Sequence, residues 1–217
     1  MEYQPTILST KTLTASQKEL LLNADIAFVE YDSITTEPIP FELDDTTIKN
    51  AIFTSGNAVR AIKDKEIKIE NCFCVGEKTK TLLSDDGYEV KEQAANAATL
   101  AEVLIDKYEN ENFHFFCGNI RRDELPEALD KNHIDYKEIV VYETLANLKE
   151  FDRIFDGVFF FSPSGVKSFL AANYIEDSIA FCIGHTTADE IKTYTDKVII
   201  ANRPTVENVI VQAVKYF

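Results

Sequence analysis

Apolar and polar positions along the chain fall into two alternating kinds of run. Short β-branched and aromatic stretches recur: "TILST" (6–10), "IAFVEYDSI" (26–34), "NAIFTS" (50–55), "NCFCVG" (71–76), "YEVKE" (88–92), "FHFFCG" (113–118), "YKEIVVYET" (136–144), "GVFFFS" (157–162), "SIAFCIG" (178–184) and "KVIIAN" (197–202). Most are followed by stretches of helical spacing, such as "TASQKELLLNA", "NAVRAIKD", "EKTKTLLSD" and "AATLAEVLIDKY". Strands that alternate with helices of about 10–15 residues predict βαβ units and parallel sheet. Ten strands exceed what one compact domain of this length carries, so the pattern predicts two α/β domains.

An internal repeat supports the division. Ser55 and Val59 recur as Ser162 and Val166, 107 positions on; "FCVGEKT" (73–79) recurs as "FCIGHTT" (181–187) at 108, and "ATL" (98–100) as "PTV" (204–206) at 106. A period this long denotes two related domains, not a solenoid of short units. "AIFTSGNAVRAI" (51–62) and "FFFSPSGVKSFL" (159–170) are the clearest equivalents: each runs from an apolar strand through a hydroxyl-rich turn into an amphipathic helix.

Glycine placement locates the functional edge. Of seven glycines, Gly56, Gly76, Gly118, Gly165 and Gly184 fall at or just past strand C-termini, the edge at which open α/β sheets bind ligands. A glycine there lets backbone approach a ligand, and the next helix presents free N–H groups to an anion. Gly87 and Gly157 precede strands and read as structural. Ser55, Asn57, Ser162, Ser164, Thr186 and Thr187 are also the residue types that cap helices, and any one taken alone is more often a cap than a ligand contact. Their repetition beside glycine at five strand ends favours a binding role.

Composition narrows the chemistry. A net charge of −15 excludes duplex nucleic acid as a natural partner, since phosphate binding rests on Lys and Arg. No run of 18 apolar residues occurs, and "MEYQPTILST" lacks the basic-then-apolar order of a signal peptide, so a cytoplasmic protein with no membrane span is expected. Cys72, Cys74, Cys117 and Cys182 lie in apolar strand runs as buried thiols, without the paired spacing of a zinc site; neither metal nor cofactor is expected. No G-x-G-x-x-G follows a strand, and neither a phosphate-binding G-x-x-x-x-G-K-S/T nor a G-x-S-x-G elbow occurs. His114 and His133 read as structural, and His185 opens a helix after Gly184.

Several of these stretches, in order, resemble the uroporphyrinogen-III synthase family: "FTSGNAV" (53–59), "CVGEKT" (74–79), "CGNIRRDELPEAL" (117–129), "VVYET" (140–144), "FFSPSGVKSFL" (160–170), "CIGHTTADEI" (182–191) and "RPTVENVIVQAV" (203–214). The resemblance implies an α/β fold of two similar flavodoxin-like domains, each a parallel five-stranded sheet flanked by helices. It places residues 1–35 with 147–217 in one domain and 40–142 in the other. Residues 36–39 and 143–146 are then interdomain linkers, forming a hinge beside a substrate cleft.

The implied reaction is cyclisation of hydroxymethylbilane to uroporphyrinogen III, a lyase step of tetrapyrrole (heme) biosynthesis. Loss of the terminal hydroxyl gives an azafulvene, attack at the substituted position of ring D gives a spiro intermediate, and reclosure inverts that ring. The pyrrole nitrogens supply the electron push, leaving orientation as the protein's chief task. For a substrate with eight carboxylates, the implied contacts are Lys11, Thr54, Ser55, Asn57, Gly76, Thr79, Gly118 and Arg121, then Ser162, Ser164, Gly165, Val166, Gly184, His185, Thr186, Thr187 and Pro204. Lys78, Arg122, Lys167 and Arg203 add charge nearby. Tyr142 is the candidate for assisting hydroxyl departure, as a phenol that donates a hydrogen bond at neutral pH; packing of a strand-end aromatic is the competing account. Two positions depart from the family: Lys11 follows Thr10 where Thr-Arg is frequent, and His185 replaces the usual proline. A monomer is expected, and hand-over of substrate from hydroxymethylbilane synthase is a partnership the family allows. The alternative is a non-enzymatic two-domain binder of an anionic small molecule.

Overall fold

The computed structural model describes residues 3–175 and 177–217; residues 1, 2 and 176, within the first expected domain, lie outside the described residues. In chain order the elements begin β1 (Thr6–Ser9), α1 (Ala15–Leu22), β2 (Ala27–Glu30), β3 (Ile34–Pro38), β4 (Thr47–Phe53), α2 (Gly56–Ile62), β5 (Lys68–Val75), α3 (Glu77–Asp85), β6 (Val90–Ala94) and α4 (Ala97–Lys107). They continue β7 (Phe113–Gly118), α5 (Glu124–Lys131), β8 (Tyr136–Ala146), β9 (Gly157–Phe160), α6 (Pro163–Leu170), β10 (Ile179–Cys182), α7 (His185–Ile191), β11 (Val198–Ile200) and α8 (Val206–Tyr216). Two compact units result: Met1–Thr35 with Leu145–Phe217, and Thr36–Thr144.

The discontinuous unit holds a five-stranded sheet ordered β11-β10-β9-β1-β2, with parallel ladders. Its strands are short apolar runs because both faces are covered. Side chains alternate: Leu8, Val158, Phe160 and Ala180 join α6 and α7 in one core cluster. Ile7, Phe159 and Phe181 join α1 and α8 in the other. Fully burying one such phenylalanine is worth about 1.5–3 kcal/mol, which is how strands of three or four residues persist.

The contiguous unit repeats the plan. Ala51, Phe53, Cys72 and Cys74 pack with α2 and Leu83 of α3 on one face; Ile52, Phe73 and Phe115 pack with α4 and α5 on the other. The four cysteines are buried and free, and burial pushes the Cys72 and Cys182 thiols up to about 12.

Here the structure departs from the expected pair of like five-stranded sheets. The second sheet has six strands, ordered β3-β8-β7-β4-β5-β6. Counted along their own chain segments, the first sheet reads 2-1-3-4-5, the flavodoxin order; the core five strands of the second read 3-2-1-4-5. Yet the order of neighbours follows one plan, since β2-β1-β9-β10-β11 corresponds strand for strand to β8-β7-β4-β5-β6. The chain simply enters the first unit two strands earlier in the cycle. The sixth strand arises because the stretches expected as linkers are extended and hydrogen-bonded: 34–38 forms β3, and β8 runs on to residue 146. Pro38 is tolerated because β3 lies at the sheet edge, where no ladder donor is needed.

Candidate functional site

In the discontinuous unit, the C-terminal ends of β1, β2 and β9 enclose a cleft of about 250 Å³ lined by Thr10, Lys11, Asp32, Ser33 and Ser162, among others. Hydroxyl groups crowd its floor. A Cβ built on Gly165 would lie 3.0 Å from Ser33 Oγ, 3.3 Å from Ser162 Oγ and 3.8 Å from Thr10 Oγ1. Glycine is favoured here by the close packing of hydroxyls, which a Cβ would press by a few tenths of an ångström, and not by backbone angles.

The hydroxyls differ in what they have left to give. Thr10 donates to the Phe159 carbonyl at 2.7 Å, and Ser33 to the Thr10 carbonyl at 3.1 Å; both protons are committed. Ser162 caps α6 by accepting from Gly165 N–H at 3.0 Å. Capping uses its oxygen, so its proton has no acceptor among the described residues. A serine hydroxyl is one donor and two acceptor sites, and the cap and clamp roles are therefore compatible. Lys11 is exposed on the same cleft and makes no ion pair among the described residues.

Further along this edge, Gly184 opens α7 with extended backbone (φ −171°) and no atom within 4 Å of a built Cβ. His185 and Thr186 are exposed there, and so are Arg203 and Pro204 past β11. The side chains of Thr187 and Val166 are not available: Thr187 is 2% exposed and Val166 fully buried. Both sit on the inward side of their helices, which leaves their backbone as the part that can face a ligand. Ser164 is half-buried in the first turn of α6. Thr205, which the sequence reading passed over for Pro204, caps α8 by accepting from Asn208 N–H at 3.2 Å; a threonine directly before the apolar run was the available signal.

The contiguous unit shows the same logic. Ser55 caps α2 by accepting from Asn57 N–H at 3.2 Å, again leaving its proton uncommitted, and Thr54 beside it is half-buried. The Asn57 side chain accepts from Arg60 at 2.5 Å. Gly76, at φ +83°, starts α3 without a side-chain cap, in the left-handed region where glycine is favoured. Thr79 is buried, occupying in α3 the inward position of Thr187 in α7.

Two residues here change meaning. Gly118 was expected to admit a ligand, yet its missing Cβ makes room for Tyr142: a built Cβ would meet the ring at 2.5 and 2.6 Å and the hydroxyl at 2.9 Å. Tyr142 is 8% exposed and belongs to the core cluster with Phe53 and Phe116. Arg121 is already engaged, paired to Asp123 and, at 2.5 Å, to Glu138. The Glu138 hydrogen bond raises its pKa further. Lys167 reaches Glu190 at 3.4 Å, whereas Lys78 and Arg203 join Lys11 in making no ion pair among the described residues. No group of residues suited to a metal ion occurs among the described residues, and no helix of theirs is long and apolar enough to cross a membrane.

Residues 17–210 match the model of the family described as uroporphyrinogen-III synthase HemD. The chain is 27% identical to the uroporphyrinogen-III synthase of Saccharomyces cerevisiae, over 72% of this chain and 68% of that protein. Among solved structures, uroporphyrinogen-III synthetase from Helicobacter pylori aligns with TM-score 0.77 and 22% identity, covering 99% of this chain and all of that one. A mutant synthase from Thermus thermophilus aligns with TM-score 0.61 and 13% identity, covering 98% of each chain.

Proposed function

We infer, from the premise that the chain belongs to the uroporphyrinogen-III synthase family, that its strand ends hold the carboxylates of hydroxymethylbilane while the linear tetrapyrrole closes. The chain is the cyclising lyase that forms uroporphyrinogen III in heme biosynthesis. What carries the binding reading is the cleft of the discontinuous unit, lined both by Lys11, which makes no ion pair among the described residues, and by Ser162 with its uncommitted proton. Ammonium and hydroxyl together suit a carboxylate, and an overall acidic protein needs such local donors, since screening acts over about 8 Å.

Ser55, Asn57, Gly76, Gly184, His185 and Thr186 extend this role on the two strand-end edges. Thr79, Val166 and Thr187 contribute backbone only. The flavodoxin-type plan places these turns at sheet C-termini, and the two crossings between units, at Thr35/Thr36 and Thr144/Leu145, serve as the hinge. Tyr142 assists departure of the terminal hydroxyl by donating a hydrogen bond. The chain works as a cytoplasmic monomer on this reading, and receives a labile substrate that hydroxymethylbilane synthase can hand over.

The deciding test supplies freshly made hydroxymethylbilane to the purified protein, oxidises the products and resolves the isomers. Isomer III is expected. Isomer I alone, the product of unassisted closure, would leave only the anion-binding alternative.

A further inference from the structure

Two carboxylates from the end of β2 grip the loop that carries Lys11. Asp32 accepts from Thr12 N–H at 2.8 Å and from the Thr12 hydroxyl at 2.9 Å. Glu30 accepts from Leu13 N–H at 2.9 Å with one oxygen and from Lys18 of α1 at 2.5 Å with the other. Burial opposes the charge on Glu30, but Lys18 and the Leu13 N–H together draw its carboxyl below the ordinary value. Every loop donor from residue 12 to 13 is thus met by an acid.

The second unit shows what this arrangement avoids. By ladder register, Glu138 on β8 holds the place of Glu30 on β2: Leu8 pairs with Val29 as His114 pairs with Lys137. Glu138 binds the cation of its neighbouring loop, Arg121, directly, which ties that charge up. In the first unit the acids take backbone and hydroxyl donors instead. Lys11 is left exposed, with no ion pair among the described residues, on the same cleft as Asp32, an acid that is already satisfied.

We propose that Asp32 and Glu30 are positioning residues for the synthase reaction: they fix the β1–α1 loop so that Lys11 meets a substrate carboxylate in the cleft. This rests on the function inferred above. Asp32 acts through geometry, not through its charge, which would repel an anionic substrate if anything.

The test measures KM and kcat for isomer III formation in purified variants, with thermal unfolding as a check on folding. Asp32→Ala is expected to raise KM about fivefold, in line with the net contribution of one ordinary hydrogen bond, since the lost bonds position the loop and do not touch substrate, while kcat stays within about twofold. Asp32→Asn, which keeps an acceptor at the same place, should remain near wild type or bind slightly tighter. In a Lys11→Ala background Asp32→Ala should have no further effect, because coupled residues fail to add. Thr12→Val, which removes the side-chain bond alone, should give a smaller rise, and serves if Asp32→Ala folds poorly. An unchanged KM in Asp32→Ala, an equal loss in Asp32→Asn, or a full additional loss on top of Lys11→Ala would each overturn the proposal while wild-type protein still makes isomer III. Isomer I alone from the wild type would instead overturn the function on which it rests.

Discussion

Gly118→Ala tests whether the Tyr142 ring is held where catalysis needs it. The added methyl would lie 2.5 Å from Cζ, 2.6 Å from Cε2 and 2.9 Å from the hydroxyl oxygen of Tyr142. Ordinary contact begins near 3.4 Å, so the ring must retreat by about 1 Å or turn about its χ1 bond. It cannot do so freely, because Tyr142 is 8% exposed and packs in the cluster with Phe53, Phe116 and Val141. Overpacking of this kind costs about 1–3 kcal/mol. For a chain of this length each kcal/mol lowers Tm by about 2–4 °C, so a fall of roughly 3–10 °C is expected by calorimetry or circular dichroism. If the phenol assists hydroxyl departure, kcat falls as well, about as far as in Tyr142→Phe, which removes the hydroxyl but leaves the ring. Gly118→Ala should cost almost nothing further in a Tyr142→Ala background, where the obstacle is gone. A Gly118→Ala protein with unchanged Tm would refute the packing account. A clear Tm loss with wild-type kcat would keep the packing and remove Tyr142 from the mechanism.

Three further outcomes follow from the same geometry. Ser162→Gly should cost only a few tenths of a kcal/mol in stability, because glycine is an acceptable N-cap, whereas Ser162→Ala costs about 1 kcal/mol; both should raise KM alike, since both lose the hydroxyl donor, and steady-state kinetics beside thermal melts will show whether the two effects separate. Gly184→Ala meets open space and extended backbone, so chemical denaturation should show a loss no larger than the roughly 1 kcal/mol of an alanine N-cap, while a raised KM would mark close approach of substrate at this turn. For pH, the folded Glu30 carboxyl lies below its ordinary value of 4.5; its contribution is present above that pH and is lost as pH falls through the lowered folded value. Both Lys18 and Glu30 are partly exposed, so solvent screening limits this to about 1 kcal/mol, and Lys18→Met should flatten the acid limb of an unfolding-versus-pH curve.

The α/β character and the parallel strands were legible because each strand is a short apolar run closed by a turn, and because helices of the right length follow. The repeat was legible over β4 to β6 and β9 to β11, where Ser55 and Val59 recur as Ser162 and Val166 and "CVGEKT" recurs as "CIGHTT" at nearly the same offset. It was not legible over the remaining two strands. β1-α1-β2 is the counterpart of β7-α5-β8, but it precedes its unit in the chain where the other follows, so no single offset relates the two. What joins them is a sheet position, Glu30 and Glu138, visible only through ladder register. The sixth strand was missed because residues 36–39 were expected as an interdomain linker, whereas an edge strand accommodates Pro38.

At the strand ends the residue types were legible and their directions were not. Threonine at the third position of α3 and of α7 looks the same in sequence as a threonine facing solvent, but a helix turns about 100° per residue, and that position points into the core in both units. Cation identity misled in a similar way: Lys11 and Arg121 both follow a sheet strand, and only the structure shows that Arg121 is held by two acids while Lys11 is held by none among the described residues. The hydroxyl turns posed the reverse problem. A serine read as a helix cap seems to be used up, yet a cap employs the oxygen's lone pair and leaves the proton. Ser55 and Ser162 can therefore close their helices with the oxygen and keep the proton, and it is that proton which we propose meets a substrate carboxylate.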